Sequence, residues 1–308
     1  MKSDSLRVLV PALSFAVLLA AVFWLQPRAM SYLGLNLLFN LAVPIALATI
    51  AQMLVIAIND LDLAIGTFVS FVACVAATFL HDTPVLGLLI LAAAIGVHAL
   101  VGVLIHLRGL PAIVVSLGMS FVWGGLAVLI LPAPGGSAPG WIRAAMTAKP
   151  PLLPMAILAS LAIATLAHLI VMRSSFGVAL RGVGGNARSV ERADWSILKL
   201  RAATYGLAGL FATLAGICLV GLTTSADANI ALRYTLLSIA AVILGGGEFT
   251  GGRVSAVGAV IGALTLTLAS SFLTFLRLSS DWQIGAQGAI LIAVLAIRLT
   301  LNRREART

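Results

Sequence analysis

Residues 84–106 read PVLGLLILAAAIGVHALVGVLIH, twenty-three positions without one Asp, Glu, Lys or Arg. Wound as a helix at 1.5 Å per residue, the stretch is about 35 Å long, enough to cross a hydrocarbon core of about 30 Å. Nine further apolar runs flank it, at 6–26, 33–58, 62–80, 110–131, 151–172, 202–222, 232–247, 254–276 and 284–301. They occupy the chain from end to end and leave no polar half for a water-soluble domain. The expected fold is therefore an all-α integral membrane bundle of about ten transmembrane helices, some broken, forming a single domain over residues 1–308. The run 232–247 is short, and Pro44 and the glycines at 245–252 mark breaks. Breaks are tolerated only where surrounding protein or a water-filled path satisfies the freed main-chain groups.

Composition points the same way. Hydrophobic residues make up 61% of the chain and charged residues 9%, against about 25% charged in soluble domains; the mean hydropathy is +1.13. The net charge of +9 does not indicate nucleic acid. A nucleic-acid reader gathers its Lys and Arg on one solvated face, whereas these lie in the gaps between apolar runs. Cys74 and Cys218 both fall inside apolar segments and read as small buried hydrophobes. Lys2 and Arg7 precede the first run in the manner of a signal peptide. The run is long for that purpose, and Leu25-Gln26-Pro27-Arg28 offers no small-residue cleavage site, so it is kept as a first span. With ten spans and a cytoplasmic N-terminus, fourteen of the nineteen basic residues fall inside and five outside. That is the sense required by the positive-inside rule, and both termini come out cytoplasmic.

One interval differs in kind. Residues 173–201 read RSSFGVALRGVGGNARSVERADWSILKLR, with six basic and two acidic residues, on the cytoplasmic side. Gly184-Gly185-Asn186 reads as a turn, and Ala187 to Trp195 as a short amphipathic helix that buries Val190 and Trp195 and exposes Arg188, Glu191, Arg192 and Asp194. A short helix displayed on the cytoplasmic face is a docking element for a partner. A plain basic loop is the other reading of the same residues.

The run FGVALRGVGGNARSVERADWSILKLRAATYGLAGLFATLAGI, residues 176–217, resembles the cytoplasmic region and following span of permeases from ABC importers. The resemblance is to the branch that handles ribose, xylose, arabinose and galactose-type sugars, related to the branched-chain amino acid permeases. Three other places agree. Asn59-Asp60-Leu61-Asp62-Leu63-Ala64-Ile65-Gly66-Thr67 resembles that family's Gly-Gly-Ile-Asp-Leu-Ser-Val-Gly-Ser segment. The stretch from Leu110 to Met119 is similar to its Pro, Phe, Thr-Leu-Gly-Met segment. Gly245-Gly246-Gly247 with Gly251-Gly252-Arg253, then Val257 to Ala263, resembles its late glycine-rich block. Order and spacing match from about residue 40 to the C-terminus. The departures are Asn59 and Asp60 in place of two glycines, Gly124 beside Trp123 where an arginine is usual, and Ala193-Asp194 in place of Ser-Gly.

The polar and glycine residues of these segments define the candidate sites. Gln52, Asn59, Asp60, Asp62, Gly66, Ser116 and Trp123 form a candidate substrate path. A carboxylate at membrane depth costs about 2.5–3.5 kcal/mol on the mildest scale, which leaves Asp60 and Asp62 either at the water interface or along an aqueous route. A sugar has no charge to pair but many hydroxyls, which suit carboxylate and amide acceptors. Gly258 and Gly262 form a small-xxx-small packing face, and Gly245 to Gly252 a flexible break. Gly184, Gly185, Asn186, Arg188, Val190, Glu191, Arg192, Asp194 and Trp195 form the candidate coupling segment.

Other chemistry finds no support. His81, His98, His106 and His168 are scattered, with an acidic neighbour only at Asp82. There is no phosphate-binding glycine-lysine loop and no Gly-x-Ser-x-Gly or His-Glu-x-x-His pattern. The resemblance implies a permease that is not itself an enzyme and carries no cofactor, with ATP and Mg held by a partner ATPase. The other implied partners are a second permease copy, identical or homologous, a periplasmic solute-binding protein and the lipid bilayer. Two rival readings stay open: a branched-chain amino acid permease of the same class, and an ion-coupled secondary transporter using Asp62. The orientation gives a direct test. A reporter fused after Thr308 should be cytoplasmic and a tag within 135–148 should label from outside; labelling of 135–148 from the cytoplasm contradicts the ten-span arrangement.

Overall fold

A computed structural model describes residues 2–249 and 251–277, with 285, 288 and 289. Among the described residues the chain is helical, apart from one isolated antiparallel bridge between Gly135 and Ala226. In chain order the helices are α1 (Lys2–Leu25), α2 (Tyr32–Phe39), α3 (Ala42–Ala57), α4 (Ile65–Ala77), α5 (Phe79–Asp82), α6 (Pro84–Arg108) and α7 (Ala112–Ile130). There follow α8 (Gly140–Met146), α9 (Met155–His168), α10 (Ser175–Arg192), α11 (Ile197–Thr223), α12 (Tyr234–Leu244) and α13 (Ala256–Phe275). Serine side chains start four of them. Ser31 accepts from Gly34 N, Ser174 from Gly177 N, Ser196 from Lys199 N and Ser255 from Gly258 N, which satisfies amides that the helix leaves free.

Among the described residues seven helical segments are long and apolar enough to cross a membrane: Tyr32–Ala57, Ile65–Asp82, Pro84–Arg108, Ala112–Ile130, Met155–Arg173, Ile197–Thr223 and Ala256–Phe275. Pro11–Leu25 and Tyr234–Leu244 are shorter apolar helices, and the tenth run, 284–301, lies almost wholly outside the described residues. Seven of the ten runs thus correspond to such segments among the described residues. Helix ends also fall inside some of the runs. The run 232–247 contains only the 11 residues of α12, about 16 Å of helix, too short to cross alone. Likewise the run 33–58 is two helices meeting at Asn40–Leu41, with Pro44 in the first turn of α3, where its missing N–H costs nothing. The run 151–172 is α9 continued by one π-helical turn, Leu169–Arg173.

Burial sorts the helices into an inner and an outer set. Every residue of α3 is buried, and α11 lies along both α3 and α6, while α13 packs against α1, α12 and α3. The outer faces of α6, α7 and α9 present large apolar side chains, among them Leu89, Leu100, Phe121, Leu129 and Leu161. Phe121 is 74% exposed and Leu129 78%. An apolar exterior of this extent matches lipid and not water.

Glycine sets the closest helix approach. Gly258 lies against the Gly245 carbonyl and Gly262 against the Ala241 carbonyl, so that α13 meets the end of α12 with no room for a side chain. This is the packing face read from the sequence. Gly262→Ala should cost about 1–3 kcal/mol through overpacking, read as a lower unfolding midpoint in detergent. Gly96→Ala on α6, with no atom within 4 Å of the added methyl, should be neutral or gain up to about 1 kcal/mol of helix propensity. Equal midpoints for the two variants contradict the close approach.

Candidate functional site

The sequence's candidate path converges on the non-helical stretch between α3 and α4, residues 58–64. Asn59 takes a left-handed conformation (φ 65°) where the resembling segments have glycine, and Asn is among the side chains that tolerate it. The segment's main-chain groups find partners from several elements. The Gln52 side-chain amide, in the orientation its surroundings demand, donates to Asp62 O (2.9 Å) and accepts from Asp62 N (3.2 Å). Ser116 Oγ of α7 accepts from Leu63 N (3.0 Å) and reaches Leu61 O (3.2 Å). Asp62 Oδ1 accepts from Ala64 N (2.8 Å), which starts α4. Thr235 Oγ1 of α12 accepts from Gly66 N (2.9 Å). Gly66 itself lies against Thr235 and the Ala231 and Leu232 carbonyls, where a side chain would clash.

Both carboxylates stand against a basic side chain of the same chain. Asp62 is 1% exposed, and its Oδ2 stands 2.9 Å from His98 Nε2 of α6, whose side chain is 3% exposed. By distance this is an ion pair if His98 is protonated. Its line strays from a hydrogen-bond direction, so neither ring nitrogen has a hydrogen-bond partner. Asp60 Oδ1 accepts from Arg201 Nη2 (2.8 Å) and its Oδ2 from Tyr205 OH (3.2 Å), both on α11. An unpaired charge inside an apolar bundle is costly, and pairing is the usual remedy. His98, Arg201, Tyr205 and Thr235 escape the sequence reading because each lies far along the chain from its partner. Of the path residues, Gln52, Asp62, Gly66 and Ser116 are gathered here and buried, while Asn59 is exposed. Trp123 is buried one side chain away, edge-on to Phe68 at 4.9 Å, whose ring in turn lies 5.0 Å from that of His98, and against Phe71 at 5.0 Å.

The glycine break and the segment from Gly184 meet at the same end of α3, against Ala57. Gly251 and Gly252 both have φ of 70°, a conformation glycine adopts without strain. Gly252 N donates to Ala57 O (2.9 Å), and Gly184 is wedged against Ala57 O and Gly252 N. Gly245, Gly246 and Gly247 are buried too, so the break is a packed turn. Within α10 the helix is interrupted at Asn186 (φ −157°, ψ 92°), whose Oδ1 accepts from Ser189 N (3.3 Å) and starts a second short helix. That helix ends at Arg192, three residues before the expected Trp195. Val190 is turned inward against Ala179 and Leu200 of its own chain, so within the candidate coupling segment it is not a surface residue. Gly185, Arg188, Glu191, Arg192, Asp194 and Trp195 are exposed.

The chain belongs to the family described as the permease component of branched-chain amino acid transport systems, which matches residues 34–295. It is 30% identical to the ribose import permease protein RbsC of Escherichia coli, over 92% of this chain and 91% of that one. It is 27% identical to a probable ABC transporter permease, y4mJ, of Sinorhizobium fredii, over 95% of this chain and 90% of the other. The galactose/methyl galactoside import permease protein MglC of Escherichia coli is 26% identical over 91% and 90% of the two chains. No solved structure matches. The chain is therefore a multi-pass inner-membrane ABC permease of the sugar-importer kind. It is not an enzyme itself, the ATPase being a separate subunit, and the family implies ATPase and binding-protein partners.

Asp62→Leu should cost about 3 kcal/mol or more, because it strands the buried His98 ring and removes the acceptor for Ala64 N. Asp62→Asn, which keeps an oxygen for Ala64 N, should cost less. The unfolding midpoint and the monodisperse fraction in detergent check this. A fully stable Asp62→Leu would mean that the carboxylate faces water.

Proposed function

We propose that this chain forms the membrane pathway of an importer for a monosaccharide or similar polyhydroxy solute, working by alternating access. The observation that carries the reading is the match to the ribose permease over nine-tenths of both chains. The pathway is built with a second permease copy, identical or homologous. A periplasmic binding protein delivers the solute, and ATP and Mg bind to two cytoplasmic ATPase subunits. Both termini and residues 173–201 face the cytoplasm.

The family description favours a second reading, a branched-chain amino acid as solute. Such a solute carries an ammonium and a carboxylate, and a pathway selecting it wants unpaired charges to meet them. Asp60 and Asp62 are already occupied by Arg201 and His98, which leaves the polyhydroxy reading the better supported.

Energy enters through the segment from Gly184 to Trp195. Its outward face offers Arg188, Glu191, Arg192 and Asp194 around Trp195, which is 37% exposed. Exposed Trp ringed by charge is the composition of an interface hot spot, worth about 2 kcal/mol or more on truncation. Val190 packs within the chain and supports the helix from beneath. Trp195→Ala should therefore lower ATPase co-purification and solute uptake by about tenfold or more, while the permease still inserts in the membrane. Arg188→Ala at the solvated rim should do less. Normal co-purification and uptake with Trp195→Ala would reduce the segment to a basic cytoplasmic loop.

A further inference from the structure

Asp60 stands where the segments resembling residues 59–67 have glycine, so its carboxylate calls for an explanation in this chain. Its side chain is 9% exposed and that of Arg201 is 21% exposed, with 2.8 Å between Oδ1 and Nη2. Tyr205 OH donates to the other carboxylate oxygen from one turn further along α11. The pair joins two structures of opposite character. Asp60 belongs to the unwound stretch that follows α3. Arg201 lies in the second turn of α11, which begins at Ile197, two residues beyond Trp195.

The same two structures touch at a second point. Gly184, at the start of the docking segment, is wedged against Ala57 O, and Gly252 N donates to that carbonyl. The end of α3 and the residues after it are therefore held at two points, by Gly184 at the start of the docking segment and by Arg201 in α11, six residues past its close at Trp195. A displacement of this segment acts on Ala57 directly, through Gly184, and on Asp60 through the start of α11, which follows the segment in the chain. The glycine contact is steric and can slide. The Asp60–Arg201 contact is charged and half-desolvated, so parting it has a free-energy cost that staying together does not.

We propose that Asp60 and Arg201 form a latch that ties the unwound segment to the ATPase-docking segment, holding the resting permease until the ATPase pulls the segment away. The two are positioning residues, acting through the helices they join. A latch biases an equilibrium only if it is made in one state and absent from the other. Removing it stabilises the resting state less, so the complex passes more readily to the hydrolysing state without the binding protein. The proposal rests on the docking segment proposed above.

The test uses the whole complex, permease with its cognate ATPase, in lipid nanodiscs, and measures basal ATP hydrolysis with no binding protein and no solute. Asp60→Asn, nearly isosteric, should raise the basal rate at least about fivefold, the lower end of typical coupling between sites. Arg201→Gln should do the same. Asp60→Glu and Arg201→Lys, which keep the charges, should stay within about twofold of the unchanged chain. Unfolding midpoints are measured beside the rates, because a purely structural pair lowers the midpoint without moving the basal rate. A basal rate for Asp60→Asn within about twofold of the unchanged chain overturns the latch, as does an equal rise with Asp60→Glu. If no ATPase accompanies the unchanged chain, it is the docking reading that falls, and the two failures are distinguishable.

Discussion

Between α3 and α4 the helix is abandoned for seven residues inside an apolar bundle, and each main-chain group left free there must find a partner or cost several kcal/mol. That constraint recruits the rest of the site. Gln52 comes from the preceding helix, Ser116 from α7, Thr235 from α12 and the Asp62 carboxylate from the segment itself. Four supports from four places fix the segment's conformation, and with it the entry angle of α4. The buried polar residues gathered here are therefore explained as scaffolding of a broken helix before any contact with a solute is invoked.

The paired charges follow from the same constraint. Asp62 accepts from Ala64 N, just ahead of α4, through one oxygen and is then left with a second oxygen facing the interior, where His98 meets it. Asp60 leaves the end of α3 toward α11 and finds Arg201 and Tyr205. Together these contacts bind α6 and α11 to the break, and α6 and α11 pack along one another. A transporter that alternates access needs joints that are held in each state and released between them. A break braced by charge and hydrogen bonds, lying against the segment proposed to meet the ATPase, has that character.

Much of this was legible in the chain itself. The apolar runs gave an all-helical membrane bundle, and the order of short motifs placed it among ABC permeases, which the family match bears out. Gly258 and Gly262 were read as a packing face and are one. Helix ends were not legible, because hydropathy continues through Asn40–Leu41 and past Leu244, where the helices end. Pairings between distant residues were not legible either. Asp62 and His98 are separated by a full helix, and Asp60 and Arg201 by 141 residues; no local pattern announces such contacts. Val190 illustrates a finer limit, since helical periodicity says which residues share an apolar face but not whether that face meets a partner or its own chain.

The central claim is that residues 60–66 are a braced joint and not a slack connection. Amide hydrogen exchange on the purified complex measures this directly, at Leu63, Ala64 and Gly66, whose N–H groups are bonded to Ser116, Asp62 and Thr235. Exchange at all three should be as slow as within α3 and should quicken at Leu63 and Gly66 when Ser116 and Thr235 are both replaced by alanine. Fast exchange in the unchanged chain, or protection that the double replacement leaves intact, would contradict the account.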